Sequence, residues 1–367
     1  MSRVVLAMSG GVDSSVAAKL LCDDGHDVVG VFMRHGGEPT SCSIEGSSSE
    51  LPILNPRADH KQGCCSATDA EDARRVAHAF GIPFYPLDLQ DQFDSIMGYF
   101  VDEYVSGRTP NPCVVCNNWL KFGKLFDYAD SIDADFVATG HYARLDTRNT
   151  GDFSLTRGVD GDKDQSYVLF GVRRERFKRM LLPIGGYRKP EIREIAASIG
   201  LNIAQKKDSQ EICFVTTGRH AEFVAARKGN AETSGHIVTT DGKVLAEHDG
   251  IERFTIGQRK GLGVAMGEPY FVVKIDPTSK NVVIGKKEDL ARVELTANRT
   301  NWLVDVDSEF RCEAQIRYNS SAKPATVTIE SPHEMKVVFD EPCYGVAPGQ
   351  AVVCYDGDRV LGGGWIL

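Results

Sequence analysis

The 367 residues are 42% hydrophobic and 25% charged, with 36 Gly and 15 Pro, a balance that excludes disorder, collagen and coiled coil. The 42 basic against 51 acidic side chains, a net charge of −9, exclude a protein that coats polyanions generally and confine any nucleic-acid surface to a local patch. No apolar run reaches the roughly 20 residues of a membrane span, and Met1-Ser2-Arg3 passes straight into Val4-Val5-Leu6-Ala7-Met8, so a cytoplasmic location with no membrane partner is expected. Val4 to Met8 reads as a buried strand, Ser9 to Ser15 as a glycine turn, and the stretch with Val12, Val16 and Leu20 on one face as a helix. Val28 to Met33 reads as a second buried strand. The Gly-, Ser- and Pro-rich run over 36–63 reads as a mobile surface insertion. Thr68 with Glu71 predicts a capping box ahead of a helix that Gly81 ends, and Asp135 to Thr139 predicts another strand, running into Gly140-His141-Tyr142.

Strands alternating with helices imply an α/β doubly wound parallel sheet with its ligands at the carboxyl ends of the strands. Pro190 predicts the first turn of a helix carrying Ile192, Ile195 and Ile199 on one face and closed by Gly200. Beyond Cys213 the pattern changes to short runs such as 271–273 and 282–284 divided by turn signals, and from Leu295 to Leu367 to alternating runs that suggest an antiparallel β-barrel. The expected organisation is a catalytic α/β domain over 1–212, a small β-rich domain over 213–288 and a C-terminal barrel over 289–367.

Three strings carry chemistry. Ser9-Gly10-Gly11-Val12-Asp13-Ser14 lies where strand meets helix, so its backbone N–H groups can approach a polyphosphate closely. It lacks both the Gly-Lys-Ser/Thr of kinase-type loops and the Gly-x-Gly-x-x-Gly of dinucleotide folds. Thr109 to Asn117 (TPNPCVVCN) has two prolines that predict a rigid, non-helical loop presenting Asn111, Cys113 and Cys116. A Cys-x-x-Cys pair is half a zinc site, a redox pair or a nucleophile with its neighbour; no second Cys-x-x-Cys exists among the ten cysteines to complete zinc. Cys213 follows Lys206 and Lys207, whose charge would favour a thiolate. Cys22, Cys42, Cys312, Cys343 and Cys354 are expected in core or loop.

The glycine string resembles the PP-loop of ATP pyrophosphatases. With TPNPCVVCN, TGHYA (139–143), KDQSY (163–167), DSQEICF (208–214), FTIGQRKGLG (254–263) and APGQAVV (347–353), the chain resembles the tRNA-specific 2-thiouridylases from residue 7 to residue 353. That resemblance implies ATP contacts at Ala7, Met8, Ser9, Gly10, Gly11, Val12, Asp13, Ser14, Met33 and Gly140, with Asp13 serving Mg²⁺ and pyrophosphate. It implies that Asn111, Pro112 and Cys113 meet the target base, and that His141, Lys163, Asp164, Gln165, Arg317, Tyr318 and Gln350 touch tRNA. Cys116 would be the nucleophilic partner and Cys213 the persulfide carrier, supplied by a sulfur-relay or cysteine desulfurase protein.

The chemistry coheres, because a uridine C2 carbonyl is a poor electrophile until ATP makes its oxygen a leaving group. Sulfur release by Cys116 would leave a Cys116–Cys213 disulfide to be reduced, whichever bond breaks first. Cys113 opens an alternative in which Cys113, Cys116 and Cys213 hold a [4Fe–4S] cluster. The rival readings are a PP-loop amide ligase and a tRNA-binding protein that uses ATP only as a structural ligand. Lys163, Arg173, Arg174, Arg176, Lys178, Arg179, Arg188 and Lys189, with Arg253, Arg259 and Lys260, are the expected phosphate-binding patches.

Overall fold

In the computed structural model of the chain the described residues are 1–34, 67–147, 153–200, 206, 212–215 and 220–367. The expected insertion over 36–63, Lys207 and the start of DSQEICF lie outside them. The first unit runs β1 (Arg3–Ala7), α1 (Val12–Asp23), β2 (Asp27–Arg34), α2 (Ala67–Ala79), β3 (Phe84–Asp88), α3 (Gln90–Val105), α4 (Pro112–Cys116), a π-helix (Asn117–Lys124), α5 (Leu125–Ser131) and β4 (Phe136–Ala138). It continues through the hairpin β5 (Ala143–Thr147) and β6 (Phe153–Arg157) to β7 (Met180–Leu181) and α6 (Lys189–Ser198).

Five of these strands form a parallel sheet in the order β3-β2-β1-β4-β7. Helices cover both faces, which is why Val4, Val5 and Leu6 of β1 are all fully buried. Alternate residues feed opposite faces: Val5 joins Val31 and Val137 in one cluster, while Val4 and Leu6 join Val28 and Ala138 in the other. The chain lays β2 and β3 on one side of β1 and then returns to lay β4 on the other, so a crevice opens at the carboxyl ends of β1 and β4.

Local signals behave largely as expected. Gly81 (φ 66°) and Gly200 (φ 74°) take the left-handed conformation just beyond α2 and α6, and Pro190 sits in the first turn of α6. α2 already begins at Ala67, so Thr68 falls inside its first turn instead of capping it. No helix among the described residues is long and apolar enough to cross a membrane.

After α7 (His220–Ala225), the strands β8 (Gly235–Thr239), β9 (Val244–His248), β10 (Phe271–Asp276) and β11 (Asn281–Gly285) form a separate sheet, ordered β10-β11-β8-β9, around Ile237, Phe254, Val272 and Ile284. The last six strands are β12 (Ala291–Trp302), β13 (Glu309–Gln315), β14 (Lys323–Ser331), β15 (Glu334–Tyr344), β16 (Ala351–Asp356) and β17 (Arg359–Ile366). They are antiparallel neighbours that close through β12–β17 into a barrel. Met335, Val337 and Phe339 of β15 point into its core while Lys336 and Val338 do not, the period-2 alternation of a strand with one wet face.

The units are tied by specific bonds. The β5–β6 hairpin, carried by the first unit, extends the barrel sheet at β17, where Thr156 pairs with Arg359 and Arg157 N donates to Asp358 O at 2.9 Å. Arg317 donates from Nη2 to Ile256 O (2.9 Å) and Gly345 O (2.6 Å), bridging the central unit to the barrel. Its guanidinium, which the family resemblance implies at the tRNA, is bonded here as a strut. Replacing Arg317 by Met should cost about 2 kcal/mol of stability, since both acceptors lose a charged donor; a melting temperature equal to that of the parent protein would contradict this.

Candidate active site

The glycine turn occupies the crevice. Gly10 is left-handed (φ 69°), and any Cβ there would overlap the backbone carbonyl of Asp69 on α2, so only glycine lets the turn pack this way. Gly11 caps α1 without a side-chain bond, which leaves the helix's first N–H groups pointing outward for an anion. Ser14 Oγ accepts from Ser9 N at 3.2 Å and donates to Gly11 O at 3.2 Å, bracing the turn from inside. Met33 near the end of β2 and Gly140 just beyond β4 flank it. A Cβ on Gly140 would stand 2.9 Å from the Asp13 carbonyl carbon.

Asp13 is the charged centre of this cradle. Lys189 Nζ donates to its Oδ1 and Oδ2 (2.8 and 3.0 Å), and Tyr142 Oη donates to Oδ1 at 2.7 Å. Lys189 is 8% exposed, and the Asp13 carboxylate supplies a counter-charge that offsets the cost of that burial. Lys206 Nζ reaches the turn from the other side, donating to Gly10 O (2.9 Å), Asp69 Oδ1 (2.6 Å) and Asp72 Oδ2 (2.8 Å). The sequence reading gave Lys206 to Cys213 and Lys189 to RNA phosphates; both ammonium groups are instead bound at the cradle. No local signal marks these roles.

The cysteine string is helical, a correction to the extended loop expected from its two prolines. Pro112 occupies the first turn of α4, where its missing N–H costs nothing, and Asn111 Oδ1 caps the helix by accepting from Val114 N at 3.3 Å. α4 places Cys113 at the surface and Cys116 half-buried, and runs directly into the π-helix. Cys116 and Cys213 are both half-buried and pack against the same hydrophobic cluster. Among the described residues no three His, Cys, Asp or Glu side chains come together to hold a metal. Cys113, Cys116 and Cys213 are all described, so the iron–sulfur reading does not fit this arrangement.

The segment 139–142 joins cradle and cysteine helix. Gly140 packs on the Asp13 backbone, while buried His141 meets Lys121 Nζ of the π-helix through Nε2 (3.3 Å) and Thr139 Oγ1 through Nδ1 (2.7 Å). An ammonium only donates, so Nε2 accepts and Nδ1 carries the proton. Desolvation first, and the Lys121 charge second, hold this imidazole neutral, well below the ordinary histidine range. His141 thus sits inside the site wall, 5% exposed, where the resemblance had it touching tRNA.

The other residues implied at tRNA divide into struts and an open face. Asp164 is consumed by Arg157 Nη1 (2.9 Å), Ser166 Oγ (2.9 Å) and the N–H groups of Gly158 and Ser166 (3.0 Å each). Gln165 Oε1 accepts from Tyr142 N at 3.0 Å, and Gln350 Nε2 donates to the carbonyls of Thr109 (3.1 Å) and Pro110 (2.9 Å), clamping the cysteine string from the barrel. Tyr318 remains exposed, with Cys113, Lys163 and Asp164 near enough to act on its phenol, which burial chiefly pushes up. Within the basic stretch, Arg179 binds Asp130 (2.7 Å) and Arg174 binds Asp305 (2.8 Å).

A parallel sheet whose first strand enters a glycine turn at the switch point, with an aspartate opening the next helix, defines a PP-loop nucleotide-binding protein. Three family models match in succession: one described as the tRNA methyl transferase HUP domain over residues 2–217, its PRC-barrel domain over 221–286 and an aminomethyltransferase β-barrel domain over 292–366. The chain is 58% identical to the tRNA-specific 2-thiouridylase MnmA of Rhodopirellula baltica, covering 100% of this chain and 96% of that one. It is 46% identical to the protein so named in Solibacter usitatus, covering 99% and 98%, and 44% to that of Carboxydothermus hydrogenoformans, covering 99% and 97%. The chain belongs to the tRNA-specific 2-thiouridylase family.

The neutral His141 predicts a pH dependence. Below about pH 6.5 the unfolded chain takes a proton that the folded chain refuses, so stability present above that pH is lost as pH falls. His141→Gln should flatten this loss between about pH 7 and about pH 5 by up to about 1.4 kcal/mol per pH unit, one proton's worth. Urea melts giving the same pH slope for both proteins would contradict it.

Proposed function

We propose that the chain replaces the C2 oxygen of the wobble uridine in tRNA by sulfur, using ATP to adenylate that oxygen and releasing pyrophosphate and then AMP. The observation that carries this reading is the segment 139–142, which packs Gly140 on Asp13 and bonds His141 to the helix that continues from Cys116. The segment thereby joins the nucleotide cradle to the helix that carries Cys113 and Cys116.

In this reading the open N–H groups of α1 and the Ser9 hydroxyl receive the triphosphate, while Ser14, its proton already on Gly11 O, braces the turn beneath it. Asp13 fits Mg²⁺, which takes one or two carboxylates together with phosphate oxygens; when bound, the ion would neutralise charge on the departing pyrophosphate. Lys189, already against Asp13, adds a positive charge beside it. The target uridine leaves the anticodon stack, which costs least in a single-stranded loop, and meets Asn111, Pro112 and Cys113. Lys163 and Tyr318 face the RNA, whereas Asp164, Gln165, Arg317 and Gln350 hold the surface in shape.

Cys213 carries a persulfide received from a sulfur-relay or desulfurase protein. Its terminal sulfur attacks C2, the C2–O bond breaks and AMP leaves; Cys116 thiolate then attacks the Cys213 sulfur, the S–S bond breaks and the thiolated uridine departs. The Cys116–Cys213 disulfide that remains must be reduced by an external thiol before the next cycle.

Cys116→Ser and Cys213→Ser should each abolish thiolation while keeping tRNA-dependent pyrophosphate release, and Cys113→Asp should retain substantial thiolation. Thiolation surviving in either serine variant would overturn the relay. Asp13→Ala should abolish pyrophosphate release with tRNA affinity nearly unchanged, because its carboxylate acts where charge develops on the leaving group. Persistent release would overturn the role of the cradle.

A further inference from the structure

A cavity of about 490 Å³ lies on the π-helix beyond Cys116, away from the glycine turn, and is lined among others by Asn118, Trp119, Lys124, Gly171, Arg173 and Arg176. Its volume falls within the range that holds one small ligand. None of the sites described above uses it. Its chemistry is specific, because an indole, three cations, one carboxylate and an amide with an unpartnered oxygen meet in one hollow.

Trp119 is 50% exposed although it is a large aromatic, and its ring is braced edge-on by Tyr99 at 6.4 Å. A core would bury such a side chain, whereas a stacking platform needs its face open. Asn118 Oδ1 is buried and lacks a hydrogen-bond partner among the described residues, the state of an acceptor waiting for a donor. A Cβ on Gly171 would overlap the Asn118 amide, so glycine there is what lets this amide line the wall.

The charges are arranged for an anion. Arg173 is exposed, and Arg176, over the Phe126 ring at 4.7 Å, donates to Gly123 O at 3.2 Å and to Phe122 O. Burial, and then the neighbouring Arg173 charge, lower the Arg176 pKa even against the opposing carboxylates. Lys124 pairs with Asp127 at 3.0 Å, which also lines the hollow and offers an acceptor to a base amino group. The exposed Arg173, with the Arg176 guanidinium held beside it on the Phe122 and Gly123 carbonyls and an open indole in the same hollow, matches a phosphate and the base it carries.

We propose that this cavity is a second nucleotide-reading pocket, in which an unpaired nucleotide flanking the target uridine stacks on Trp119, bonds to Asn118 and sets its phosphate on Arg173. Trp119 lies three positions beyond Cys116 along one continuous run of helix, about 5 Å of axis, so the nucleotide next to the reacting one is the one in reach. The inference rests on the RNA substrate assigned under Proposed function.

The test measures binding of the full-length protein to unmodified tRNA at several salt concentrations, with intrinsic fluorescence recorded in parallel. tRNA should quench the emission of the parent protein, and Trp119→Phe should remove most of that quenching while keeping affinity within about threefold. Trp119→Ala should weaken binding about tenfold with the salt slope unchanged, as loss of an uncharged stacking contact requires. Arg173→Gln should weaken binding and lower the slope of log K against log salt by about 0.7, one phosphate contact on a single strand. The ATP-induced thermal shift, read in every variant, reports an intact fold.

Trp119→Ala binding within twofold of the parent, or quenching that persists in Trp119→Phe, would overturn the pocket. Equal quenching by free UMP or AMP would make it a mononucleotide site and overturn the RNA assignment. Parent protein that neither binds nor thiolates tRNA would overturn the functional reading itself, a separate result.

Discussion

The site depends first on one charge pair, a buried ammonium against a half-buried carboxylate. Asp13 takes both its carboxylate oxygens to Lys189 and one also to Tyr142, so the start of α1, the segment after β4 and the start of α6 are drawn to a single point. The carboxylate offsets the cost of burying the Lys189 ammonium, which reaches little solvent of its own. Lys206 acts on the opposite flank, where it ties Gly10 to two carboxylates of α2. The glycine turn is therefore held open by ions on both sides, and its open amide groups are formed before any phosphate arrives.

The barrel contributes shape to a site it does not line with catalytic groups. Gln350 and Pro348 bond the Thr109–Pro110 stretch, and Tyr167 Oη donates to Ala351 O at 2.8 Å. Gly349, left-handed at φ 87°, lets the loop come within 2.9 Å of the Thr109 carbonyl, measured from where a Cβ would stand. Asn111 can cap α4 and point its two cysteines because the residues before it are fixed by a loop more than two hundred positions away.

What could be read from the sequence was what local chemistry encodes. The buried runs of β1, β2 and β4, the glycine turn, Pro190 and the glycines after α2 and α6 each act through their own backbone, and their placement survives in the fold. The helix α4 was missed because Pro-x-Pro favours extension, whereas a proline in a first helical turn is equally at home. Lys189 and Lys206 were misread because their partners lie 176 and 137 positions away, and adjacency in sequence suggested RNA or Cys213 instead. Gln350 and Asp164 were legible as important residues of the site but not as struts, since the hydrogen bonds that occupy them exist only once the barrel has packed.

The central claim is that ATP activates the oxygen that sulfur replaces. A tRNA carrying ¹⁸O at C2 of its wobble uridine, given ATP and a persulfide donor, follows that oxygen directly. The account predicts that the label leaves with the phosphate of AMP, in step with formation of thiolated tRNA and in equal amount. Unlabelled AMP accompanying full thiolation would contradict it, because the C2 oxygen would then have departed by a route that never joined it to phosphorus.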